Sequence, residues 1–168
     1  NSVTPVGDVT YKTCKEIHTF GNVACLITVT GQQVLDALEW GAKDVPNECG
    51  GFLQVSGLTY EIHTGVASSA EKDENGMFTR VSGEYRVKNV MVGGQPLELD
   101  KTYTLASHNY MLLGHGDGYT MFDGCEVLGE DMMVDNQVLI TYITTTLGGV
   151  VGEQYANPYG DGRIVAVE

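Results

Sequence analysis

Residues 23–41 of the chain read VACLITVTGQQVLDALEWG. The first seven residues, Val23–Val29, are mostly apolar and β-branched, which is typical of a buried strand. Thr30 and Gln33 stand three residues apart, the spacing of a capping box that starts a helix. Apolar side chains then recur at helical spacing, at Val34, Leu35 and Leu38. Gly41 marks the helix end, so the stretch predicts a strand that runs directly into a helix over residues 30–41.

Two further helices are predicted from their end signals. Residues 11–17 form a short helix with Thr10 as its N-cap. Residues 136–147 carry apolar side chains on one face, with Asp135 as the N-cap and Gly148 as the stop. These helices do not alternate regularly with strands, so the fold class is α+β rather than a doubly wound parallel sheet. We expect layered mixed sheets with flanking helices.

Strands are more numerous than helices. Runs rich in β-branched and aromatic residues cover residues 23–29, 52–62, 85–92, 103–107 and 164–167. Gly93 and Gly94 predict a tight turn. The polar stretch from Ser68 to Gly76 is interpreted as a surface loop.

Composition excludes several classes of partner. Nine Lys and Arg residues stand against 22 Asp and Glu residues in 168, for a formal net charge of -13. This charge excludes an extended nucleic-acid footprint, and no apolar run approaches the roughly 20 residues of a membrane-spanning helix. Four dispersed cysteines (Cys14, Cys25, Cys49 and Cys125) lack zinc-site spacing. They are compatible with either buried thiols or disulfides.

No catalytic residue set is recognisable in this sequence. The acidic and histidine residues lack the spacing of a zinc or calcium site, so no metal ligand is predicted here. There is also no Gly-x-Ser-x-Gly elbow and no phosphate-binding P-loop. We therefore assign no catalytic residue and no cofactor to this chain.

Two segments favour binding instead of chemistry. Phe20 and Asn22 precede a strand, and Tyr110 follows another, close to a glycine-rich loop that contains Asp117. An exposed aromatic face can stack on a flat base, at about 1–3 kcal/mol per base. Asp117 can accept hydrogen bonds from a ribose diol, and Asn22 can match a ring nitrogen or an exocyclic amine. Taken singly, each aromatic residue is better explained by burial in the core, and Asp117 by a turn, because these are the commoner uses of such residues.

Five segments, in this order, resemble the C-terminal domain of the 5'-nucleotidase family. This family includes ecto-5'-nucleotidases, UDP-sugar hydrolases and 2',3'-cyclic-nucleotide phosphodiesterases. The matching segments are residues 7–22 (GDVT to FGN), 26–39, 50–57 (GGFLQVSG), 103–109 and 116–119 (GDGY). The resemblance covers most of the chain.

The resemblance implies a division of labour between two domains. In this family an upstream calcineurin-like domain holds two divalent metal ions and a His–Asp dyad, whereas the C-terminal domain binds base and ribose. We therefore expect residues 1–168 to be the substrate-binding domain of a larger metallophosphoesterase, inactive alone. Its partners would be a nucleotide or nucleoside and the upstream domain. The resemblance also implies an extracellular, cell-surface or periplasmic location.

The resemblance also assigns roles to individual residues. Phe20 and Tyr110 correspond to the two aromatic residues that sandwich the base. Asn22 and the backbone near Gly50 lie beside the base, and Asp117 reaches the sugar. Remote contacts of this kind hold a reacting phosphate in place without taking part in the chemistry.

Three departures from the family pattern leave alternatives open. The family's arginines for phosphate and ribose belong to an Asn-x-Gly-x-x-Arg segment, which we expect upstream of this chain. Tyr110 replaces the more usual Phe, and the loop that contains His115 places one extra residue between Tyr110 and Asp117. The domain is therefore also compatible with a structural or adhesive surface domain that keeps the fold alone. Thiosulfohydrolases share the architecture as well.

Overall fold

The computed structural model describes residues 6–157 and 160–168. Its helices and strands, in chain order, are α1 (Tyr11–Ile17), β1 (Val23–Thr30), α2 (Gly31–Gly41), β2 (Leu58–His63), β3 (Ala70–Lys72), β4 (Phe78–Val81), β5 (Val87–Val92), β6 (Gln95–Pro96), β7 (Thr102–His108), α3 (Asn109–Leu112), β8 (Val127–Val134), α4 (Asp135–Thr141) and β9 (Ile164–Val167). Short 3-10 helices lie at Gly116–Gly118, Thr120–Phe122 and Glu153–Tyr155, and α4 continues as a π-helix at Tyr142–Thr146. The predicted α+β class is confirmed.

Three sheets make up the β structure of the described residues. The first has the order β7-β1-β8 and is antiparallel. The second has the order β6-β5-β2-β9, in which β2 and β9 run parallel. The third is the β3-β4 hairpin. Helix α2 contacts β1, β4 and β5, one strand from each sheet, so it is the central element of the fold.

The local signals at the starts of α1 and α2 are confirmed. The Thr30 hydroxyl accepts from the Gln33 backbone N–H, and the Gln33 side chain accepts from the Thr30 backbone N–H. Thr10 and Thr13 form the equivalent pair at the start of α1. Such reciprocal bonds satisfy backbone donors that have no partner within the helix.

The core surrounds α2. Its largest fully buried side chains include Trp40, Leu38 and Ile27, together with Tyr119 and Leu112 from the segment that follows β7. The Trp40 and Phe78 rings meet edge to face with centroids 5.7 Å apart, which joins α2 to the β3-β4 hairpin. None of the helices within the described ranges has the length and apolar character that a bilayer span requires.

Four sequence predictions for strands were wrong in extent, one of them by a single residue, because β1 continues to Thr30. The strand predicted over residues 52–62 begins only at Leu58, and two carbonyl groups before it accept from side chains. The Tyr119 hydroxyl donates to Gly51 O and the Arg163 guanidinium to Val55 O. The strand predicted from Tyr85 begins at Val87, and the strand at 103–107 extends by one residue at each end.

The polar stretch predicted as a loop, Ser68–Gly76, contains β3. Its partner β4 was not predicted, and the Glu71–Arg80 ion pair at 2.7 Å joins the two strands. The tight turn at Gly93 and Gly94 is confirmed, since both have positive φ values, 57° and 78°.

The last predicted helix differs at both ends. Val134, not Asp135, is its N-cap, because β8 continues without a loop to Val134 and Asp135 is already helical. The regular α-helix ends at Thr141, and the last turn is a π-helix closed by the bond from Leu147 N–H to Tyr142 O. The Thr144 hydroxyl donates to Ile140 O in this turn, a contact that favours local distortion of a helix.

Candidate functional site

The Phe20 segment connects α1 to the start of β1. Gly21 has a φ of 68°, a conformation that glycine adopts without strain. The Phe20 side chain is 89% exposed, so its ring contributes almost nothing to the core. Asn22 follows Gly21 and is half-buried, and its backbone N–H donates to the Asp135 carboxylate. The segment therefore presents a free aromatic face beside a fixed backbone.

Tyr110 lies in α3, directly after β7. Because β1 and β7 are antiparallel, with Ala24 opposite His108, the residues before β1 and those after β7 lie at the same end of this sheet. The Tyr110 ring is 48% exposed and packs over Gly116, where an added Cβ would overlap the ring. Its hydroxyl lies 3.3 Å from Asp117 Oδ1.

The loop that carries Asp117 has unusual backbone angles. His115 and Asp117 are left-handed, with φ values of 53° and 54°. Such conformations cost free energy for non-glycine residues, and they concentrate at functional sites. Gly118 has a φ of 85°, and an added Cβ there would lie 2.8 Å from Trp40 Cζ2. The Trp40 indole N–H donates to Asp117 O at 2.9 Å, so a buried ring of α2 fixes the loop.

Gly50 and Gly51 lie close to the Asp117 loop. An added Cβ on Gly51 would come within 3.0 Å of Asp117 Cβ, whereas Gly50 faces open space. The buried Tyr119 hydroxyl donates to Gly51 O at 2.5 Å. Burial raises the pKa of Tyr119, so this phenol keeps its proton at neutral pH and remains a donor.

The predicted site residues thus fall into two adjoining groups. Tyr110, Asp117 and the glycines at 50 and 51 form one contiguous surface, and Phe20 and Asn22 lie at the same end of the β7-β1-β8 sheet. Asn109 joins the two groups, because its Oδ1 accepts from Val23 N–H and Tyr110 N–H, each at 3.0 Å.

Two residues that position this surface were not predicted. Asn109 and Trp40 hold the backbone by side-chain hydrogen bonds. The signal available for Asn109 was its place between a strand and a helix, where Asn is favoured. Nothing in the spacing of Trp40 distinguishes it from an ordinary core residue.

Two further features of the described residues concern metal binding and thiol reactivity. No three His, Cys, Asp or Glu side chains among residues 6–157 and 160–168 come together as a metal-binding group. All four cysteines are free thiols; Cys14 and Cys25 are buried. Burial raises the pKa of the Cys25 thiol, which disfavours the reactive thiolate. The arrangement is suited to holding a flat, polar molecule.

Comparison with known proteins identifies the family of this chain. The sequence profile described as "5'-nucleotidase, C-terminal domain" matches residues 1–124. A 5'-nucleotidase of Vibrio cholerae is 29% identical over 137 residues, which is 82% of this chain and 21% of that protein. The trifunctional nucleotide phosphoesterase protein YfkN of Bacillus subtilis is 30% identical over 161 residues, 96% of this chain and 10% of that protein.

The fold agrees with these sequence similarities. The crystal structure of a 5'-nucleotidase precursor from Thermus thermophilus superimposes with a TM-score of 0.74 at 27% identity, over 95% of this chain and 28% of that one. The chain thus spans about a fifth of the length of the Vibrio relative that it matches. With the profile covering Phe20, Asn22, Gly50, Tyr110 and Asp117, this chain belongs to the 5'-nucleotidase C-terminal domain family.

Proposed function

We propose that this domain binds the base and ribose of a nucleotide for a metal-dependent phosphoesterase whose catalytic residues lie elsewhere in a longer polypeptide. The observation that carries the proposal is the exposure of Phe20 and Tyr110 at one end of the β7-β1-β8 sheet. Exposed aromatic side chains lose apolar burial, and stacking on a base recovers it. The adjoining Asp117 carboxylate is acceptor-only when ionised, which suits the two hydroxyl donors of a ribose.

The rest of the reaction is assigned to the upstream domain that the resemblance implies. Two divalent metal ions held there would polarise the phosphate and activate water. This chain's own contribution is to position the nucleoside, since binding energy from base and ribose orients the reacting phosphate. Relatives named as 5'-nucleotidases support a hydrolase as the full-length protein. We propose that it acts outside the cytoplasm, at the cell surface or in the periplasm.

Nucleoside binding tests the proposal directly. In the longer protein that carries the upstream segment, calorimetry should detect adenosine or uridine binding, and Phe20→Ala should weaken it about tenfold, from the 1–3 kcal/mol of a base–aromatic stack. Tyr11→Ala is the matched control, because Tyr11 is a 61% exposed aromatic residue on the neighbouring helix α1. Equal nucleoside affinity in the unmodified and Phe20→Ala proteins would rule out stacking of the base between Phe20 and Tyr110.

A structural or adhesive surface domain is the second candidate. The observation in its favour is the Tyr110 hydroxyl, which lies beside the Asp117 oxygen that a ribose would use. Under this alternative neither nucleoside would bind better than ribose, and the Phe20→Ala variant would behave as the unmodified protein does. A thiosulfohydrolase domain would give the same binding result, but its full-length protein would hydrolyse a sulfur substrate and leave nucleotides intact.

A further inference from the structure

Both strands beside β1 turn into helices at the level where β1 begins. Strand β7 gives way to α3 at Asn109, and β8 gives way to α4 at Asp135. Continuing the antiparallel registers by one residue places Val23 opposite Asn109 and Asn22 opposite Asp135. The first residue of each helix therefore stands where the ladder of backbone hydrogen bonds would otherwise have continued.

At both places a side-chain oxygen, instead of a backbone carbonyl oxygen, accepts the hydrogen bond from the β1 segment. Asn109 Oδ1 accepts from Val23 N–H at 3.0 Å. Asp135 Oδ2 accepts from Asn22 N–H at 3.1 Å, and Asp135 N–H donates to Asn22 O at 2.8 Å. In a helix the backbone carbonyl points along the helix axis, away from the neighbouring strand. The side-chain oxygens thus keep two part-buried donors satisfied beyond the ends of β7 and β8.

These bonds fix the backbone from which Phe20 projects. Phe20 lies two residues before Asn22, and its ring, at 89% exposure, gains little hold from packing. Asn109 Oδ1 also accepts from Tyr110 N–H at 3.0 Å. A single oxygen atom therefore links the β1 backbone to the first turn of α3, which carries Tyr110.

The Asp135 side chain is well placed for this role. It is only 12% exposed, and its other oxygen accepts from Asn136 N–H at 2.7 Å. The His18 ring, at the other end of the Phe20 segment, has Nδ1 4.0 Å from Asp135 Oδ2. Asp135 thus contacts the segment on both sides of Phe20.

We propose that Asn109 and Asp135 are positioning residues that together set the gap between the Phe20 and Tyr110 rings. Neither contacts the nucleoside; each acts through the backbone of the aromatic residue that it holds. The proposal rests on the proposed function, because a gap of fixed width matters only if a base enters it. Pre-organisation of this kind raises affinity by reducing the ordering cost of binding.

The test combines removal and retention of the acceptor oxygen. Asn109→Ala and Asp135→Ala remove it, whereas Asn109→Asp and Asp135→Asn keep an oxygen at the same place. Amide hydrogen exchange should accelerate about tenfold at Val23 in Asn109→Ala and at Asn22 in Asp135→Ala, because each loses one hydrogen bond. Adenosine affinity should fall about fivefold in both Ala variants. Asn109→Asp and Asp135→Asn should keep the amide exchange rates and the adenosine affinity of the unmodified protein.

A second background separates positioning from general damage to the fold. In protein that already carries Phe20→Ala, Asn109→Ala and Asp135→Ala should lower adenosine affinity much less than in the unmodified protein, since one of the two rings whose gap they set is gone. Tyr103→Phe is the matched control. The Tyr103 hydroxyl accepts from Glu98 N–H at 3.0 Å, at the opposite end of β7 from Asn109. Its removal should leave adenosine affinity unchanged.

The outcomes distinguish this proposal from the proposed function. If the unmodified protein binds adenosine and the Ala variants bind it equally well, Asn109 and Asp135 are merely structural and the positioning role is wrong. An equal loss of affinity with and without Phe20 would also overturn it. If the unmodified protein binds neither adenosine nor uridine better than ribose, the proposed function and the positioning role both fail.

Discussion

The Tyr110 hydroxyl and the Asp117 carboxylate are 3.3 Å apart on an open surface. Strong O–H···O hydrogen bonds measure about 2.5–3.0 Å, so this contact is long and contributes little to stability. The same hydroxyl distinguishes this chain from the more usual Phe of the family. The ring, in contrast, is closely fitted, because Gly116 beneath it leaves no room for a Cβ. At this residue the ring should therefore matter more than the hydroxyl.

Substitutions at Tyr110 separate the two contributions. Tyr110→Phe keeps the ring, and we expect adenosine affinity to stay within about threefold of the unmodified protein. Tyr110→Ala removes the stacking face and should lower affinity about tenfold or more. Calorimetry on both variants measures the difference. If Tyr110→Phe lost as much affinity as Tyr110→Ala, the hydroxyl itself would be the ligand contact.

The start of α2 shows how one local signal supports a whole element. Besides its part in the capping box, the Gln33 amide donates to Met121 O at 2.9 Å and so ties the helix start to the segment after the Asp117 loop. Gly31 is packed so closely against the Glu98 carbonyl that a Cβ would overlap it. Three contacts thus fix the helix start: the capping box, the bond from Gln33 to Met121 O, and the packing of Gly31 against Glu98.

Removing this N-cap should have a measurable cost. Thr30→Ala loses the hydroxyl that accepts from Gln33 N–H, and we expect the free energy of unfolding to fall by about 1 kcal/mol. Urea unfolding followed by circular dichroism measures it. Thr30→Ser keeps the acceptor and should retain most of the stability. A Thr30→Ser variant as unstable as Thr30→Ala would mean that the methyl group, and not the cap, is what stabilises α2.

Elements with strong local signals were predictable from the sequence, and those that depend on partners were not. Helices α1 and α2 have caps that act within four residues, and β9 is a short run of β-branched residues. Strand β8 was missed, because Gly129 and two acidic residues interrupt it and Asp131 adopts a φ of 49°. It is a strand only because β1 pairs with it.

The candidate site also contains residues that the sequence singled out and residues whose contacts depend on distant partners. The roles of Phe20, Tyr110 and Asp117 came from a resemblance and stay predictions, because the residue pattern alone left them undecided. The hydrogen bond between Asn109 and Val23 joins residues that are 86 positions apart in the chain, and the one between Asp135 and Asn22 joins residues 113 positions apart. Contacts of that separation depend on strand register, which no single segment specifies.

On the scale of the whole molecule, the buried charges of Glu39 and Arg86 join α2 to the second sheet. Glu39 is fully buried, and its Oε2 accepts from Val87 N–H at 2.9 Å. Arg86 is also buried and donates to the carbonyls of Ala42 and Val45. Among the described residues, Glu39 Oε1 has no hydrogen-bond partner. A buried acidic group with incomplete hydrogen bonding destabilises its own ionised form.

The pH dependence of folding should therefore change in Glu39→Gln. Burial raises the pKa of Glu39 above its ordinary value of 4.5, and the nearby Asp36 carboxylate raises it further. The hydrogen bond from Val87 N–H and the charge of Arg86 lower this pKa, but by less. The folded state then keeps a proton that the unfolded chain releases. Glu39 thus favours folding fully below pH 4.5 and loses that contribution as the pH rises through its raised pKa. Gln cannot ionise, yet it still accepts from Val87 N–H.

We expect the free energy of unfolding of Glu39→Gln, relative to the unmodified protein, to increase from pH 4.5 to pH 7, measured by urea unfolding at each pH. Glu71→Gln is a control of opposite sign, because a hydrogen bond from Arg80 lowers the pKa of Glu71. Its effect falls below pH 4.5, so the urea series for this variant is continued to lower pH. The stability from Glu71 is present above its ordinary pKa of 4.5 and lost as the pH falls through the lowered value. Parallel profiles for Glu39→Gln and the unmodified protein would mean that Glu39 stays ionised within the core, paired electrostatically with Arg86.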